Sequence, residues 1–166
     1  MSVYVVDSNF FIQAHRASYP LDVATSFWSK VIQLAEDGKI VSIDKVKNEI
    51  FKNEDELKQW CEINLPDNFF NDTSTIIPQY SQIATWAASK SGHYLPNALA
   101  EFLDADEADA WLVAHILVDP AQYILVTHEL SEPNRKNKVK IPDVCIANGV
   151  QYCNTIEMLR QLGERF

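Results

Sequence analysis

The chain has 166 residues, 47% hydrophobic and 22% charged, the balance of a soluble globular protein long enough to bury a substantial core. A net charge of −9 argues against long-range attraction to polyanions, so any nucleic-acid contact needs a local basic patch or a bridging cation. Three cysteines, Cys61, Cys145 and Cys153, with no CxxC pair and no clustered histidines, argue against a disulfide framework or a structural zinc site and fit a reducing, cytoplasmic setting.

In chain order the pattern alternates strands and helices, which predicts a parallel sheet covered on both faces and a single domain over residues 1–166. Val3–Val6 reads as a short first strand that enters the fold at once, leaving no basic or long apolar segment for export. A helix is expected over about Asn9–Arg16, and a longer one over Leu21–Asp37 with Phe27, Val31 and Leu34 on one face and Gly38 as its stop. Ile40-Val41 reads as a brief second strand, and Ile43, Val46, Glu49 and Ile50 as one helical face. Asn53 and Glu56 form a candidate capping box for a helix reaching Ile63. Leu65–Ser74 is rich in turn formers and reads as loop, followed by a helix over about Gln79–Ser91 closed by Gly92. Asp104 and Glu107 form a second candidate box for a helix ending near Val118. Tyr123–Thr127 is the clearest later strand. A polar loop runs through Pro142, then a short helix at Val144–Asn148, a strand at Val150–Cys153 and a helix at Thr155–Leu162. No apolar run approaches the roughly 18 residues of a spanning helix, so no membrane is expected.

Against this apolar frame, several carboxylates sit where a folding argument prefers hydrocarbon. Asp7 ends the first strand, where an open α/β sheet gathers ligands, although aspartate also caps helices well. Glu49 leans toward the buried side of its helix, with pairing to Lys45, Lys52 or Asn53 as the bland alternative. Asp109 lies on the stripe of Leu112, Val113 and Ile116, one turn deeper than a capping role requires; Asp106, Asp104 and Glu107 read more simply as acids of a first helical turn. A fourth acid is Glu129, just past the strand, or Asp143, which could equally cap the helix at Val144. His128 reads as a structural or exposed loop histidine, and Trp28, Trp60, Trp86 and Trp111 as core. Arg135, Lys136, Lys138 and Lys140 crowd one loop, which is either a solvated charge run or a phosphate-contacting patch. Several acids converging on one place repel each other unless a cation intervenes, which points to a metal-dependent enzyme.

Together these residues resemble the PIN-domain nucleases. Asp7-Ser8-Asn9 after a first strand resembles that family's opening motif, Val46-Lys47-Asn48-Glu49-Ile50 its second acidic helix, and Asp109-Ala110-Trp111-Leu112 its third motif. Ile124-Leu125-Val126-Thr127-His128-Glu129 resembles its strand ending in T-x-D, with Glu in place of Asp. The segments Thr127-His128-Glu129 and Lys140–Cys145 resemble a PIN-like branch catalogued mainly as uncharacterised. The resemblance implies a three-layer α/β/α fold with a five-stranded parallel sheet, and Mg²⁺- or Mn²⁺-dependent RNA hydrolysis. Many small bacterial members are VapC-type toxins held by a cognate antitoxin, and homodimers are expected by analogy. On this expectation Asp7, Glu49 and Asp109 hold a metal, completed by Glu129 or Asp143, with Asp106 a weaker candidate. Ser8, Asn9 and Thr127 would steady those ligands, and Arg135, Lys136, Lys138 and Lys140 would hold the RNA backbone. The rival expectation is a degenerate fold kept as an RNA- or protein-binding module. A haloacid-dehalogenase-like phosphatase would want a second Asp at the position of Asn9, and the Asp and Lys pattern of a receiver domain is not visible.

Overall fold

A computed structural model describes residues 2–165. Strands β1 (Val3–Val6), β2 (Ile40–Ile43), β3 (Phe70–Asn71), β4 (Tyr123–Val126) and β5 (Tyr152–Cys153) form one sheet in the order β3-β2-β1-β4-β5. Every pairing is parallel. Helices α1 (Ser8–Gln13), α2 (Thr25–Glu36), α3 (Asp44–Phe51), α4 (Glu56–Asn64), α5 (Ile77–Ser89), α6 (Pro96–Phe102), α7 (Asp109–Leu117), α8 (Ile141–Asn148) and α9 (Thr155–Leu162) complete a three-layer α/β/α architecture. A single π-helical turn, Ala14–Ser18, extends α1. No helix among the described residues is long and apolar enough to cross a membrane.

The central strand β1 is apolar throughout because both of its faces are covered, and Val5 and Val6 are fully buried. Helix α7 is buried from Ala110 to Ile116, as expected of a helix that is apolar all round. The chain builds β1, β2 and β3 outward in one direction, then crosses to place β4 on the other side of β1. That reversal leaves a crevice between β1 and β4 at their carboxyl ends, the place where such sheets take ligands. The register pairs Val6 with Val126, so Asp7 and Thr127 leave the sheet side by side.

Several boundaries differ from the sequence reading for local reasons. Helix α2 starts at Thr25, because the Pro20 carbonyl accepts from the amides of Val23 and Ala24 and holds residues 21–23 in a turn. Ile43 belongs to β2 and not to the following helix. The cap of α4 is Asp55, whose carboxylate accepts from the Lys58 amide at 3.0 Å; Asn53 is not the cap. Asp104 takes the Asp106 amide in a local turn, so the expected box with Glu107 does not form and α7 begins only at Asp109. Helix α5 ends at Ser89 with Lys90 as its cap, before Gly92. Helix α8 starts at Ile141, with Pro142 in its first turn.

Two elements escaped the sequence reading. Strand β3 is only two residues long and lies inside the turn-rich stretch 65–74. It is held by pairing to Ser42 and Ile43, and the Asn71 amide lies 3.1 Å from Nε2 of buried His115. Helix α6 is a short segment opened by Pro96.

One buried hydroxyl ties the sheet to the crevice. Ser42, fully buried on β2, donates to the Val6 carbonyl at 2.6 Å, directly behind Asp7. Ser42→Ala should cost about 1–2 kcal/mol, measured by denaturant melts, because that carbonyl then loses a buried donor.

Candidate functional site

Four acids from four different elements line the crevice and share one electrostatic field. Asp7 follows β1, Glu49 lies on α3, Asp109 opens α7 and Glu129 follows β4. Asp7 is 4% exposed, and its Oδ1 accepts from the Phe10 amide at 3.0 Å, capping α1. The capping role of Asp7 is therefore present, and its carboxyl stands at the same time in the field of three other acids. Burial pushes its pKa up to about 7, against the pull of the Phe10 bond, and the charges of Asp109, Glu129 and Glu49 add to the rise. Asp109 is likewise pushed up to about 7, first by burial, then by Glu129 and Glu49, with Lys138 pulling it back. Its side chain has no hydrogen-bond partner among the described residues.

The two glutamates are tied to backbone. Glu49 Oε2 accepts from Ser8 Oγ at 2.7 Å, and Oε1 accepts from the Ala108 amide at 3.0 Å. Helix α7 has no side-chain cap of its own, so Glu49 supplies one from across the crevice. The expected pairing of Glu49 with Lys45 or Lys52 gives way to these two bonds. Glu49→Ala should lower stability by about 1–2 kcal/mol in thermal melts, since it removes a cap and a half-buried acceptor together.

Glu129 Oε2 accepts from the Ile141 amide at 2.8 Å, which caps α8. Its own amide donates to Thr127 Oγ1 at 3.2 Å, so buried Thr127 bends the strand end and sets the carboxylate's direction. Asp143 has neither the expected capping role nor a place in this group. It lies on α8 and accepts from Ser131 Oγ and from the Glu132 amide, further along the loop that carries Glu129. Glu129 is therefore the fourth acid of the crevice. Asp106 is exposed in its turn and contributes nothing to the shared field, while Glu107, read as a simple first-turn acid, lines a small cavity with Asp109 and Lys138. Asn9 is exposed on the first turn of α1. His128 is exposed and meets Thr155 Oγ1 at 3.0 Å, as a structural loop histidine.

The basic loop is less free than its composition suggests. Arg135 donates to Glu132 and Asn137, and Lys138 approaches Glu101 at 4.0 Å while facing Asp109. The Lys136 carbonyl accepts from the Leu95 amide, and Lys140 precedes α8. Lys138 was expected at phosphate; here it already offsets part of the acidic charge. Its pairing partners lie in segments remote in sequence, so spacing could not have revealed it.

Chemically the donor set suits a hard divalent cation. All four groups are carboxylates, burial and the neighbouring acids push two of them up to about 7, and Mg²⁺ or Mn²⁺ takes such oxygens. The acids share a field without closing on a common point: among the described residues no three His, Cys, Asp or Glu side chains are disposed to hold a metal as they stand. The bonds from the amides of Ala108 and Ile141 each engage one glutamate oxygen.

This is thus a parallel α/β/α protein whose strand-end crevice is lined by carboxylates. By sequence the chain belongs to a family described as a domain of unknown function, DUF4411, whose model matches residues 4–166. No curated protein and no solved structure matches the chain.

Proposed function

We propose that this protein is a Mg²⁺- or Mn²⁺-dependent ribonuclease of PIN-like type, acting as the toxin of a bacterial type II toxin–antitoxin pair in the cytoplasm. The observation that supports the reading is the convergence of Asp7, Glu49, Asp109 and Glu129 on the β1/β4 crevice, where Asp7 and Asp109 are both pushed up to about 7. Asp7 and Asp109 are the residues that would hold the cation, with Glu129 and Glu49 beside them. When bound, such an ion orients a phosphodiester, generates a nucleophilic water and stabilises the developing charge. Ser8 steadies Glu49 through its hydroxyl, and Thr127 aims Glu129. Lys136 and Lys140 offer cations to the RNA backbone, and Lys138 stands between that backbone and the acids. The toxin role, the antitoxin partner and a homodimer rest on the resemblance alone.

The test is incubation of a structured RNA with the purified protein in Mg²⁺, in Mn²⁺ and in EDTA. Cleavage that needs the metal and vanishes in Asp109→Asn supports the reading; an RNA left intact under all conditions defeats it. A second reading, a binding module without catalysis, is favoured by the use of Glu49 and Glu129 as helix caps. Retention of RNA without cleavage, unchanged by EDTA, would select it.

A further inference from the structure

A second cavity, of about 290 Å³, lies away from the acids, between the end of α5, the turn over residues 90–94, the loop at Pro133 and helix α8. That volume is close to the lower end of small-ligand sites, roughly 300 Å³. Its walls are Trp86, His93, Tyr94 and Pro133, with Lys90 and Asp143 at the polar end of its chemistry. Trp86 and Tyr94 pack edge-on at 6.5 Å, and His93 packs against Tyr94 at 4.6 Å, which makes a rigid aromatic lining.

Three polar groups here have no use in the fold. Nε2 of His93 is buried with no hydrogen-bond partner. The Tyr94 hydroxyl has none among the described residues and reaches solvent, while the ring is buried. Lys90 is exposed and makes no ion pair among the described residues. Asp143 spends one lone pair of each oxygen on Ser131 and Glu132 and keeps the others for a further donor. Nε2 of His93 is closed to solvent and so to a ligand in the cavity, which leaves the Tyr94 hydroxyl, the Lys90 ammonium and the spare lone pairs of Asp143 as the groups that can meet one.

Flat aromatic walls, one cation and several unspent hydrogen-bonding groups match a nucleotide: a π-face to pack, edges to bond and a phosphate to neutralise. We propose that this cavity binds one unpaired nucleotide, its base against Trp86 and Pro133 and its phosphate on Lys90. The nucleotide is either free or part of a single strand, and the loop that borders the cavity speaks for the strand. Pro133 lines this cavity, the Lys136 carbonyl is pinned to the Leu95 amide beside Tyr94, and Lys138 lines the small cavity of Asp109. Five residue steps span at most ~18 Å, so one short oligonucleotide could occupy both places along that basic loop. The strand source rests on the ribonuclease reading; the chemistry of the cavity does not.

The test uses the full chain in EDTA, titrated with AMP, with inorganic phosphate and with an eight-nucleotide single-stranded RNA, read by tryptophan fluorescence and calorimetry. AMP should bind at least tenfold more tightly than phosphate. Lys90→Ala and Tyr94→Phe, checked for folding by thermal melts, should each weaken AMP about tenfold. Trp86→Phe should abolish the fluorescence change while calorimetry still detects binding. An oligonucleotide that binds tenfold more tightly than AMP and is displaced by it identifies the strand; equal affinities identify the free nucleotide, and both sustain the site. No AMP binding, AMP no tighter than phosphate, or both folded variants binding as wild type would overturn it. Asp7→Asn should bind AMP unchanged, so failure of the ribonuclease reading and failure of this site are seen separately.

Discussion

Asp7→Asn should stabilise the metal-free protein at pH 8 by roughly 2–3 kcal/mol, an increase in Tm of about 5–10 °C. Most substitutions of a buried polar residue destabilise, so the sign is the test. Asparagine caps a helix as well as aspartate does, and the bond from the Phe10 amide survives. What disappears is an ionised carboxyl that burial and three neighbouring acids disfavour. Asp7 and Asp109 are both pushed up to about 7, so the folded state binds more protons than the unfolded chain between about pH 4 and pH 7. The stability tied to them is complete below about pH 4 and is lost as pH rises through 7. Wild-type Tm in EDTA should therefore fall over that window, and Asp7→Asn should flatten the fall. Circular dichroism melts at several pH values measure both.

Asp109→Asn should lower Mn²⁺-supported RNA cleavage by about 10²–10³-fold, the loss expected when a ligand of the ion that stabilises the developing charge is removed. Its fold should remain intact or gain stability, because Asp109 has no hydrogen-bond partner among the described residues and its charge is disfavoured there. Asp106→Asn is the control, exposed in its turn and outside the shared field, and should cleave as wild type. Glu49→Ala behaves differently from both: cleavage and stability fall together, since Glu49 also caps α7. Single-turnover rates paired with melting temperatures separate the three patterns.

The doubly covered parallel sheet and the position of Asp7 were legible because a run such as Val3–Val6 has no reason to be apolar on both sides unless covered twice. Asp109 was legible as an acid on the stripe of Leu112, Val113 and Ile116, but not for the depth expected: the preceding turn delays the helix, so Asp109 opens α7 and stands in its first turn. Strand β3 was not, since two residues among turn formers carry no period, and its existence depends on the edge that β2 offers. Nor was the choice between Glu129 and Asp143. It is decided by which carboxylate meets the Ile141 amide and which meets Ser131, contacts set by the path of loop 127–140. The trans capping of α7 by Glu49 and the pull of Lys138 on Asp109 join segments far apart in the chain, and no spacing rule reaches them. The resemblance to PIN-domain nucleases placed the acids in sequence order; the hydrogen bonds that hold three of them and the field that they share come from the fold.

The most direct measurement is calorimetric titration of Mn²⁺ into the metal-free protein at pH 7.5, with Asp7→Asn and Asp109→Asn in parallel. The shared-cation account predicts saturable binding by wild type, accompanied by proton release and a rise in Tm, and its loss in both folded variants. Absence of binding to wild type, or equal binding by all three proteins, would contradict it.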